Sequence, residues 1–254
     1  MYAELVYFKK QFTKVKRTLQ YCKFMKKITQ KHPLAIRWLH WLNFPLLTIM
    51  IWSGLLIYWA NDVYRIGWGS TTILKFFPNS FNKALNIPFR LAEGMNVHFL
   101  FMWLFTINGV IYFLYLLFSK QYKFIFPHKK AVKEAWQVLL HDLYIKRGLP
   151  PQKKYNAAQR IAYTGVILLG FASIITGLAI YKPVQLNWLC YALGGYEAAR
   201  IQHFVITILF VLFFVVHIIQ VIIAGYNNFR SMLTGFEVIK PTTQTIKEEV
   251  QHEA

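Results

Sequence analysis

Acidic side chains are scarce in this sequence: 10 Asp or Glu stand against 29 Lys or Arg among 254 residues. Cysteine is scarcer still, with Cys22 and Cys190 alone. No C-x-x-C-H occurs, which argues against covalent c-type haem, and no Cys or His cluster has the spacing of a zinc or iron–sulfur site. The first thirty residues are basic and mixed. They lack an apolar h-region and a small-residue cleavage site, so no cleavable signal peptide is expected and the first apolar block reads as a retained helix. Charge of either sign is nearly missing from four long blocks of a chain that is 56% apolar. That grouping excludes a soluble domain with one core and indicates a polytopic membrane protein. A formal charge of +19 would suit nucleic acid, but its placement follows membrane topology instead, so no nucleic-acid partner is expected.

The blocks predict an all-α integral membrane protein with spanning helices at about 35–60, 94–118, 157–181 and 200–225. Together they make a domain over 35–229, between a basic arm at 1–34 and a tail at 230–254 that reads as having little structure. Ten basic residues fall in the first 37 positions and ten more in 119–160, against six in the two opposite loops and their flanks. The positive-inside rule then places both termini in the cytoplasm. Cys22 and Cys190 fall on opposite sides, so no disulfide is expected.

The fourth block organises the rest. Between Arg200 and Arg230 the only ionisable side chains of acid–base character are His203 and His217, fourteen residues apart. That spacing is about 21 Å along a helix and close to four whole turns, so both rings leave nearly the same face. An ionisable residue inside a membrane implies function unless it is merely hydrogen-bonded in a bundle interior. His40 begins the first span and His98 the second. With cytoplasmic termini, His40 and His217 share an inner level, while His98 and His203 share an outer one. Four ligands at two matched heights are what two stacked haems need. Bis-histidine ligation leaves no open iron position and suits electron transfer rather than oxygen chemistry. Gly54 lies fourteen residues after His40 on the same face, where the missing side chain would let a flat macrocycle approach, or would serve ordinary helix packing. Arg37 and Arg200 stand near the inner and outer levels as candidate partners for haem propionates, or as interfacial anchors.

The connecting segments carry weaker signals. The arm interleaves Lys and Arg with apolar residues and is either a surface helix on anionic lipid or a solvated tail. A short interfacial helix is expected around 70–86 in the first outer loop, which is also a candidate docking surface. Lys129–Arg147 reads as an amphipathic helix whose apolar face carries Val132, Ala135, Trp136, Leu139, Leu140 and Leu143. The third span, with Gly165, Gly170 and Gly177 but no histidine, is expected to close the bundle without ligating anything.

Arg-Trp-Leu-His-Trp at 37–41, Ser53-Gly54 later in the same span, His98, and His203 with His217 resemble a known family over about residues 32–230. It is the group of bacterial di-haem cytochrome b membrane subunits of respiratory formate dehydrogenase, nickel–iron hydrogenase and thiosulfate reductase. The resemblance implies a four-helix bundle enclosing two b-type haems in the bacterial inner membrane, ligated by His40 with His217 and by His98 with His203. It implies electron exchange between a quinone, menaquinone or ubiquinone, and an extracytoplasmic redox subunit. That partner would be an iron–sulfur, molybdenum or nickel–iron enzyme, or a c-type cytochrome. Family quinone sites lie by the inner haem near the second-to-third loop, which here holds His141, Asp142, Asn156 and Gln159. Asn156 or Gln159 would bond a quinone carbonyl and His141 or Asp142 relay its proton, unless all four are solvated loop residues. The long basic arm and the long 61–93 loop depart from compact members. Two rival readings remain: a transporter or proton relay, which predicts broken helices or an internal repeat, neither evident; and a membrane anchor with a lipid-binding arm.

Overall fold

The computed structural model describes residues 27–87, 89–142, 145, 148 and 155–239. Four long apolar helices dominate it: α1 (Leu34–Tyr58), α3 (Leu91–Phe118), α6 (Ala157–Tyr181) and α8 (Tyr196–Ala224). Each is long enough to cross a bilayer. Between them lie a hairpin of β2 (Arg65–Trp68) and β3 (Thr71–Lys75), then α2 (Asn79–Ala84), α4 (Tyr122–Ile125), α5 (Ala131–Asp142) and α7 (Asn187–Ala192). The chain begins with β1 (Lys27–Gln30) and closes with α9 (Tyr226–Thr234) and β4 (Phe236–Ile239). These elements fall into two compact units, one of residues 38–217 and one joining 27–37 to 218–239.

The larger unit is a helical bundle whose outward side chains are apolar. Ile107, Leu114, Leu168, Val205, Leu212 and Val216 are all exposed, as lipid-facing positions should be. Close helix contact is made through small residues, the expected packing mode where lipid removes any hydrophobic drive between helices. Gly94 of α3 is the clearest case: a Cβ there would lie 2.8 Å from Leu56 Cβ and 3.2 Å from the Ser53 carbonyl oxygen on α1. α6 starts on a capping box in which Asn156 Oδ1 accepts from the Gln159 N–H and Gln159 Oε1 from the Asn156 N–H. Pro45 sits inside α1, as membrane helices tolerate.

The first outer loop differs from the helix expected over 70–86. Thr71, Thr72 and Ile73 are β-branched and favour strand; Thr71 and Thr72 pair with Trp68 and Gly67 of β2, Ile73 falls at an irregularity in the register, Gly69 takes φ 57° in the turn, and helix is confined to Asn79–Ala84. The end of α1 holds this loop: Tyr58 donates to the Phe76 carbonyl at 2.8 Å and Trp59 Nε1 to that of Phe77 at 2.9 Å. Phe204 packs among Tyr58, Tyr64 and Phe76.

The expected amphipathic helix is present over Ala131–Asp142. Ala131 and Val138 are buried, whereas Val132, Trp136 and Leu139 are exposed. Leu143 lies outside the described residues, as do Cys22 and the arm up to position 26. In the smaller unit, β1 pairs antiparallel with β4, Lys27 opposite Ile239 and Gln30 opposite Phe236. Lys31 Nζ reaches Asn228 Oδ1 and Glu237 Oε1, each at 2.9 Å. Gly235, at φ 90°, ends α9 in the left-handed conformation that glycine adopts without strain. The first stretch of the tail is therefore ordered, contrary to the expectation of little structure.

Candidate functional site

All four membrane histidines lie in the larger unit, and they meet in two couples. The ring centroids of His40 (α1) and His217 (α8) are 6.1 Å apart, and those of His98 (α3) and His203 (α8) are 6.3 Å apart. With a metal–nitrogen bond of about 2 Å and a ring nitrogen roughly 1 Å from its centroid, two imidazoles on opposite sides of one ion stand about 6 Å apart. The couples have that separation. Among the described residues no three His, Cys, Asp or Glu side chains gather around one point. A bare ion would be left short of ligands by two imidazoles, so a metal held here must bring the rest of its coordination with it, as a haem does.

The His98–His203 couple has a supporting shell that the sequence reading missed. Ser53 Oγ lies 3.0 Å from His98 Nδ1, and Thr176 Oγ1 lies 2.9 Å from His203 Nδ1. Each hydroxyl also donates to the carbonyl four residues back, Ser53 to Ile49 and Thr176 to Ala172, both at 2.7 Å. Ser53 is wholly buried and Thr176 is 3% exposed. A glycine follows each hydroxyl residue and backs the same ring: a Cβ on Gly54 would stand 3.5 Å from His98 Cε1, and one on Gly177 3.3 Å from His203 Cε1. Gly54 thus serves the histidine across from it on α3, a role that counting along α1 did not reveal. The signal was in the chain. Ser-Gly-Leu-Leu-Ile-Tyr at 53–58 and Thr-Gly-Leu-Ala-Ile-Tyr at 176–181 are two versions of one hexapeptide, each ending a 25-residue helix.

The His40–His217 couple is furnished differently. His40 Nδ1 is buried without a hydrogen-bond partner. His217 stacks on Phe213 at 5.9 Å, and His40 meets Trp41 edge-on at 5.4 Å. On the neighbouring helix Asn108 is buried, its Nδ2 donating to the Leu39 carbonyl at 3.3 Å.

The other anticipated residues take different places. Arg200 pairs with Glu197 on the preceding turn, Nη1 to Oε2 at 3.0 Å, and stands over the Tyr196 ring. Arg37 belongs to the smaller unit and donates from Nη2 to the Leu233 carbonyl. Asn156 and Gln159 commit their side-chain oxygens to the α6 cap, and a quinone carbonyl would be met by the amide NH2 groups. His141 lies in the last turn of α5, and the side chain of Asp142 is outside the described set. Tyr155 packs edge-on against Tyr163 at 5.2 Å, and burial pushes its phenol above the ordinary tyrosine range.

Comparison with known proteins adds two findings. The family profile described as prokaryotic cytochrome b561 matches residues 31–235. A putative protein-methionine-sulfoxide reductase subunit, YedZ1 of Azospira oryzae, is 34% identical over 198 residues, covering 77% of this chain and 92% of the relative.

Proposed function

Because the chain belongs to the prokaryotic cytochrome b561 family, we propose that it carries electrons between a quinone in the bilayer and an oxidoreductase outside the cytoplasm, through two haems at two depths. Family membership makes haem b the cofactor, membrane electron transfer the activity, and the bacterial inner membrane, crossed several times, the location. The observation that carries the finer reading is the convergence of four histidines into two couples of like separation. His40 and His217 would hold the inner haem, and His98 and His203 the outer one. A haem held by these histidines would supply reversible one-electron transfer.

The chain's own part is to place and insulate. The excess of Lys and Arg at 1–37 and 119–160 favours cytoplasmic termini. The apolar outer faces of the helices hold the couples within lipid. At the inner end, a quinone head group would exchange beside Tyr155 and His141. Tyr155, whose phenol burial keeps protonated, is suited to donate a hydrogen bond to a quinone carbonyl. The relative's designation as a reductase subunit supports a partner that is itself an oxidoreductase.

Purified protein should show two b-type haems per chain by pyridine haemochrome, and quinol should reduce them. His98→Ala or His203→Ala should remove one spectral component, and His40→Ala or His217→Ala the other. Retention of both components in every variant would refute the ligand assignment.

A further inference from the structure

The hydroxyls of Ser53 and Thr176 each lie within hydrogen-bond distance of a membrane histidine and are buried inside the larger unit. A serine or threonine hydroxyl has one proton. In both cases the shorter contact, 2.7 Å, is to the carbonyl four residues back, so that carbonyl takes the proton. The oxygen can then meet Nδ1 only as an acceptor, at 3.0 Å for His98 and 2.9 Å for His203. An imidazole that donates from Nδ1 keeps its lone pair on Nε2, the nitrogen free to bind metal.

The same arrangement recurs on two helix pairs. α1 supports α3 and α6 supports α8, each through a hydroxyl residue and the glycine after it at matching positions of a 25-residue helix. A small residue four places before each histidine completes the device: Gly94 presses on Leu56, and Ala199 packs with Ala179. Leu56 and Ala179 are themselves equivalent in the hexapeptide. In the other couple, His40 Nδ1 is buried without a hydrogen-bond partner among the described residues.

We propose that Ser53 and Thr176 are the positioning residues of the outer haem site, each accepting the Nδ1–H of the histidine facing it and so fixing that ring with Nε2 toward iron. The inference rests on the two-haem reading. A hydrogen bond from the distal nitrogen makes an imidazole more electron-rich, which favours ferric iron. Removing it should raise the potential of the outer haem and leave the inner one unmoved.

The experiment is a redox titration of the full-length protein, with low-spin ferric EPR spectra of the same samples. Ser53→Ala combined with Thr176→Val should raise the midpoint of one haem component by about 59 mV, a roughly tenfold change in ferric over ferrous preference. Its EPR signal should broaden or shift as the rings lose their fixed orientation. Ser53→Thr and Thr176→Ser, which keep the hydroxyl, should titrate like the wild type. If the double variant does not accumulate, Thr176→Val alone keeps the side chain's shape and carries the same test. Two unshifted components in the variants would overturn the inference, leaving the hydroxyls as bonds within their own helices. Equal shifts of both components would overturn it too, by showing a general loosening. A wild type without two components would instead overturn the two-haem reading itself.

Discussion

Replacing Gly94 by alanine tests whether the separation of α1 and α3 is set at a single point. A methyl group there would meet Leu56 Cβ at 2.8 Å, the Ser53 carbonyl oxygen at 3.2 Å and Ile57 Cγ1 at 3.3 Å. Non-bonded carbon atoms rest roughly 3.5–4.0 Å apart, so the helices must part by about 0.7 Å or more. The two nearest obstacles are a Cβ and a backbone oxygen, which no change of rotamer moves aside. Overpacking costs about 1–3 kcal/mol, offset by at most about 1 kcal/mol of helix propensity, leaving a net loss of up to about 2 kcal/mol. For a chain of this size that is a fall of up to roughly 8 °C in Tm. Thermal unfolding in detergent, followed by tryptophan fluorescence, measures it. Gly109→Ala on the same helix is the control, because nothing lies within 4 Å of a Cβ there. The Gly94 variant should also disturb the 3.0 Å contact between Ser53 and His98, one turn away. Equal Tm values for the two variants would refute the reasoning.

Alanine at Gly177 should perturb the haem spectrum more than alanine at Gly54, since its methyl meets the facing ring at 3.3 Å rather than 3.5 Å; a reversed order of EPR shifts would contradict the ring placements. Asn156→Ala should lower stability by about 1 kcal/mol through loss of the α6 cap, while Asn156→Asp keeps the acceptor and most of the stability. Thermal unfolding distinguishes the two, and quinol oxidation lost in Asn156→Asp without loss of stability would return that residue to quinone exchange.

The four spans were legible because hydropathy accumulates over twenty residues and the bilayer demands length. The histidine couples were legible because topology turns position in a helix into depth. Ser53 and Thr176 were not, since a hydroxyl in a membrane helix usually bonds to its own backbone and says nothing about a neighbour. Ser53 stood out only as part of the Ser53-Gly54 motif, without this role, and matching the two hexapeptides would have singled out Thr176 as its counterpart. The apolar stripe of α5 was legible, but not what covers it. Periodicity at Val132, Trp136 and Leu139 shows an apolar stripe but does not say whether protein or lipid covers it, and in the structure Ala131 and Val138 do the packing. The pairing of β1 with β4 joins four-residue segments some two hundred positions apart, too short for any local pattern to register.

That pairing orders events during synthesis. Lys27–Gln30 leaves the ribosome before any span has formed, and its hydrogen-bonding partner, Phe236–Ile239, only after the fourth has been made. The clasp therefore cannot close on a half-built protein: a chain that ends ahead of residue 236 leaves both edges of Lys27–Gln30 without a partner strand.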